Sequence, residues 1–125
     1  MADIDDSKSE SITQEENNRN FFAIIPATVR YNKNLSPLAK LIWAEISCLT
    51  NHKGYCYCSN EYLAKCFHIE KNTVSKYINA LRKEQLVLVA LIRKNNAIVE
   101  RRIYPLVDPC KGLPVRYTED GKRNY

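Results

Sequence analysis

Residues 59–104 fall into two short amphipathic segments joined by three residues, then two β-type runs around a polar tip, and few architectures accept that order. The first segment runs from Ser59 to Phe67. It opens on a capping serine and sets Tyr62, Leu63, Cys66 and Phe67 on one helical face. The bridge is His68-Ile69-Glu70. Its histidine tolerates left-handed backbone, and its isoleucine is placed to plug the gap between the two helices. The second segment, Lys71 to Glu84, aligns Val74, Ile78 and Leu81 on one stripe, with Tyr77 at its edge. Leu86 to Ile92 and Ala97 to Tyr104 then read as strands around Arg93-Lys94-Asn95-Asn96, where asparagine accepts the positive φ of a tight turn.

Upstream, Ser36-Pro37 is an N-cap followed by proline at the first helical position. Leu38, Leu41, Ile42, Ile46 and Leu49 recur at helical spacing, Trp43 and Tyr31 add aromatic mass, and Asn51-His52-Lys53-Gly54 ends the helix. Tyr55-Cys56-Tyr57-Cys58 is a short strand that pairs with the hairpin. Phe21-Phe22-Ala23-Ile24-Ile25-Pro26 is too apolar to lie exposed. It either covers the core or, through Phe21, Phe22, Ile24 and Ile25, forms the interface of a homodimer. The pattern as a whole predicts an α+β, mainly α fold: a winged helix-turn-helix of three helices plus a β-hairpin wing, with an N-terminal apolar arm.

The second helix of the pair carries the chemistry. Asn72, Lys76, Asn79 and Lys83 share the stripe opposite its apolar face, Ser75 flanks it, and Lys71 and Thr73 stand at the helix start. That stripe holds amides, a hydroxyl and lysines but no carboxylate, the groups that bond base edges and phosphates. An ordinary solvated face would mix acidic with basic residues, so the composition favours contact with DNA. Arg93, Lys94, Arg101 and Arg102 make the hairpin basic, which suits phosphate contact; the plainer reading is a solvated outer face.

The charge distribution points the same way. The chain of 125 residues carries +5, but residues 1–20 hold six acids against Lys8 and Arg19, a net of −4 that leaves +9 on the rest. A basic body suits a polyanionic partner. The division follows: a disordered acidic tail at 1–20, a DNA-binding domain at 21–107, and a flexible tail or linker at 108–125, where Pro109 and Pro114 break up the segment. There is no signal peptide and no run of 18 apolar residues, so a soluble cytoplasmic protein without membrane contact is expected. The five cysteines, Cys48, Cys56, Cys58, Cys66 and Cys110, lack the spacing of common zinc modules and read as free thiols. His52 and His68 lie in turns without a nucleophile or carboxylate set, so no catalytic, metal or cofactor site is expected.

With these residues placed, a family resemblance emerges. The run from Phe22 to Tyr31, the stretch Leu35-Ser36-Pro37-Leu38-Ala39-Lys40-Leu41, and Asn51-His52-Lys53-Gly54-Tyr55-Cys56 resemble the N-terminal winged-helix domain of plasmid and phage replication initiators of Gram-positive bacteria. These are the RepA-like initiators and the replisome organisers related to the DnaD family. Val99-Glu100-Arg101-Arg102-Ile103-Tyr104 resembles their second wing strand, and the resemblance covers about residues 21–104. It implies sequence-specific binding of double-stranded origin repeats, self-association, and a host helicase-loading or primosomal partner. The chain departs from that family at His68, where glycine is usual, and at Glu70, where serine or threonine caps the helix. Two other uses of the fold stay open: a transcriptional regulator, and an oligomerising or adaptor module of a primosome.

Overall fold

The computed structural model describes residues 22–50 and 54–117, together with the backbone of Arg123–Asn124. The acidic segment 1–20, Phe21 of the arm, the turn residues Asn51, His52 and Lys53, and the rest of the C-terminal segment lie outside the described residues.

Four helices and a hairpin follow in order: α1 (Ala27–Arg30), α2 (Pro37–Leu49), α3 (Asn60–Phe67), α4 (Lys71–Lys83), β1 (Val87–Lys94) and β2 (Ala97–Pro105). Two short strands, β3 (Arg116–Tyr117) and β4 (Arg123–Asn124), pair beyond them. The arrangement is the winged helix-turn-helix that the sequence predicts, with one addition. The short α1 folds directly after the buried Pro26, and its Val29 is fully buried.

Several starts and stops have a local cause. The Ser36 hydroxyl accepts from the Ala39 amide at 3.1 Å, with Pro37 at the first helical position. The Ser59 hydroxyl accepts from the Tyr62 amide at 3.0 Å, and His68 ends α3 in the left-handed region at φ 57°, ψ 46°. There the Ile69 amide turns back to the Ala64 carbonyl at 3.0 Å. Gln85 does the same for α4 at φ 59°, and the Leu86 amide closes on the Leu81 carbonyl at 3.0 Å. At the hairpin tip Asn95 and Asn96 both take positive φ, the conformation that matches the twist of the flanking strands.

The core lies where α2, α3 and α4 meet the base of the hairpin. Trp43 is fully buried at its centre, and its indole N–H donates to the Leu86 carbonyl at 3.1 Å. Ile42, Ile46, Leu63, Val74, Ile78, Leu81, Val87 and Ile103 pack around it, and Ile69 fills in from the turn. Trp43 displaces one expected core residue. The buried stripe of α2 runs through Ala39, Ile42, Trp43, Ile46 and Leu49, which leaves Leu41 on the outer side.

The hairpin is anchored beyond its own two strands. Its antiparallel register pairs Val89 with Ile103 and Leu91 with Arg101, then slips between Ile92 and Arg93. Cys56 joins the other edge of β2 through two backbone bonds to Ile103, each 2.8 Å. The segment after Pro105 does not leave the domain as a tail. Asp108 forms a turn by accepting from the Cys110 and Lys111 amides at 2.9 Å each, and the Val115 amide returns to the Leu106 carbonyl at 2.8 Å. Val107 and Val115 are buried, and Tyr117 stacks edge-on against Tyr104 at 4.7 Å while its hydroxyl donates to the Pro105 carbonyl. Tyr55 and Tyr117 both pack against Tyr104 of β2.

Candidate nucleic-acid interface

The amphipathic division of α4 decides what it shows to solvent. With Val74, Ile78 and Leu81 buried, Lys71, Asn72, Ser75, Lys76, Asn79 and Lys83 are all exposed, and Thr73 is half-buried at the border. Arg82 joins them on the same side, a residue that the sequence reading leaves out. At 100° per residue these exposed side chains fan over an arc of about 140° centred on Asn79. No carboxylate stands on that arc, since Glu84 turns to the other side and accepts from Asn32 and Asn34 at 3.2 Å each. Arg82 reaches the Asn79 side-chain oxygen at 3.5 Å, so the central amide has a basic neighbour to orient it. At the start of α4, Glu70 is exposed and makes no side-chain cap, which leaves a negative group beside the first turn.

The four basic hairpin residues separate into two pairs. Arg93 and Lys94 are exposed beside the Asn95-Asn96 tip. Arg101 and Arg102, expected with them on the outside, are instead engaged within the chain. The Arg101 guanidinium donates to Asn60 at 2.7 Å and to the Cys58 carbonyl at 2.8 Å, tying β2 to the start of α3. Arg102 lies over the Tyr55 ring at 4.5 Å and pairs with Glu100 at 3.1 Å. Neighbours on a strand point to opposite faces, so two adjacent arginines find different partners.

The arm divides as well. Ile25 packs against the core, whereas Phe22 is 72 % exposed and Ile24 45 % exposed. The Phe22 carbonyl accepts from the Cys48 thiol at 3.7 Å, which sets the start of the arm beside the C-terminal part of α2. No helix among the described residues is long and apolar enough to cross a membrane, and no cluster of three metal-ligating side chains occurs among them.

Set against known proteins, residues 33–96 match a family described as a helix-turn-helix domain. The match begins just before α2 and ends inside the hairpin tip, so it takes in all three long helices and β1. No curated protein and no solved structure matches the chain. Matched over 64 of its 125 residues, with the two helices, the left-handed turn and the wing in their expected order, the chain belongs to the helix-turn-helix domain family, whose fold serves DNA binding.

Proposed function

We propose that the chain binds a specific double-stranded site in a plasmid or phage replication origin and marks it for initiation. The observation that carries the DNA reading is the exposed, carboxylate-free arc of α4. A helix of that composition, flanked by a basic tip, presents base-reading amides between phosphate-binding cations. In this reading Asn79 and Asn72 sit deepest in the major groove, and Ser75, Lys76 and Lys83 reach the groove walls. Lys71 and Thr73 meet the strand nearest the helix start, and Arg93 and Lys94 rest on phosphate. Arg101 and Arg102 hold the wing in place rather than touch DNA. The choice of replication over transcription rests on the resemblance of the apolar arm and the Ser-Pro helix to the initiators, in which a primosomal or helicase-loading protein is the next partner.

Self-association belongs to the same proposal. Phe22 and Ile24 are the exposed part of the arm, and pairing two arms about a twofold axis would bury both and space two copies of α4 along one face of the duplex. An adaptor role draws on the same arm and on Glu70, which repels phosphate. Selection from a random duplex library separates these readings. A recovered sequence that recurs as repeats in a plasmid or phage origin supports the proposal. A recovered promoter operator supports a regulator, and the absence of any enriched sequence supports an adaptor.

A further inference from the structure

Two buried sulfurs lie in contact at the joint between the hairpin and α3, outside the DNA-facing surface. Cys56 and Cys58 are 0 % and 5 % exposed, and their sulfurs are 2.9 Å apart. The Cys58 amide also points at the Cys56 sulfur, at 3.5 Å, which curls the segment and brings the side chains together. Both residues are anchored from outside. Cys56 is held by its two backbone bonds to Ile103, and the Cys58 carbonyl is held by Arg101. We propose that Cys56 and Cys58 form a redox-active dithiol that closes to an intramolecular disulfide with a peroxide-class oxidant, and that closure loosens the wing from α3.

The chemistry follows from the contact. The contact with the Cys58 thiol holds Cys56 below the usual thiol range, helped by the Cys58 amide and the Arg101 guanidinium. The same contact, together with burial, pushes Cys58 up. The Cys58 amide points at the Cys56 sulfur and not the reverse, which makes Cys56 the nucleophile and Cys58 the resolving thiol. The Cys56 thiolate attacks a peroxide oxygen, the O–O bond breaks, and Cys56 becomes a sulfenic acid while hydroxide leaves and takes up the proton that Cys56 released. The Cys58 sulfur then attacks the Cys56 sulfur. The S–S bond forms, the S–O bond breaks, and the departing oxygen takes the Cys58 proton as water. Two thiols are oxidised, and one hydrogen peroxide is reduced to two waters.

Closure has a structural consequence. The sulfurs stand 2.9 Å apart, and a disulfide bond of about 2.0 Å requires them to move closer. Bonding draws the Cys58 backbone inward and carries its carbonyl away from Arg101, the side chain that ties β2 to Asn60. Because both sulfurs are buried, reaction waits on local opening of this segment.

The test uses the full chain and needs no DNA. Protein treated with hydrogen peroxide is denatured and alkylated with one reagent, then reduced and alkylated with a second. Hydrogen exchange across residues 97–105 is followed on the oxidised protein before denaturation. The expected result is the second label on Cys56 and Cys58 together, a Cys56 sulfenic acid trapped by a dimedone probe in Cys58→Ser, and about tenfold faster exchange in β2. Retention of the first label on both cysteines overturns the dithiol, as does pairing of either one with Cys48, Cys66 or Cys110. A Cys56–Cys58 disulfide with unchanged exchange in β2 overturns the coupling to the wing.

Discussion

At the scale of single residues, the turn between α3 and α4 shows how far local chemistry is legible. His68 adopts the left-handed conformation that the sequence assigns to it. Glycine takes that conformation without a Cβ clash, so His68→Gly should raise unfolding free energy by about 0.5–1 kcal/mol, after the entropy that glycine adds to the unfolded chain. Urea denaturation checks it, and an unchanged or lower midpoint contradicts it. Glu70, two residues on, gives α4 no side-chain cap. Glu70→Ser supplies one, worth about 1 kcal/mol, and removes a negative charge beside the proposed phosphates. Its expected signature is a higher midpoint together with tighter binding to every duplex. A higher midpoint with weaker binding to one sequence only would make Glu70 a base-reading residue. Trp43 marks the limit of such reading. The helical spacing of α2 is visible in the sequence, but which side of the stripe the indole fills depends on Leu86, 43 residues away.

At the scale of elements, α2, α3 and α4 are readable because caps, periodicity and turn residues agree. The short α1 is not, since four residues after a proline are too few to show a period. The hairpin is half legible. Its strands and asparagine tip follow from composition, but the roles of its arginines follow from contacts across 41 residues or more, between Arg101 and Asn60 and between Arg101 and Cys58. That difference is measurable. Arg93→Ala and Lys94→Ala should each lower the salt slope of duplex binding by about 1 and leave stability within about 0.5 kcal/mol. Arg101→Ala should leave the slope unchanged and cost about 1–3 kcal/mol of stability, because the Cys58 carbonyl and the Asn60 side chain lose a charged donor. A normal urea midpoint with a reduced slope for Arg101→Ala would return that residue to the DNA surface. The segment 108–117 looks like a tail because proline and polar residues dominate it, yet Asp108 builds a turn and Val115 finds a buried place over the hairpin.

At the scale of the whole molecule, charge and fold act together. A net of −4 on residues 1–20 sets itself against +9 on the remainder, and that contrast opposes approach to a polyanion. Deleting residues 1–20 should therefore tighten duplex binding at low salt, with the gain shrinking as salt screens it; weaker binding after deletion would assign this segment a contact of its own. The central claim is that α4 enters the major groove through the arc centred on Asn79, and titration of the selected duplex with the double variant Lys76→Ala, Asn79→Ala tests it most directly. Both side chains are exposed, so the fold should survive the change, as circular dichroism and the urea midpoint will show. Affinity for the selected site should fall by about 1–3 kcal/mol more than affinity for random duplex, with preference relaxed at one or two base pairs. Unchanged affinity and unchanged preference in a folded variant would remove α4 from the interface and contradict the account.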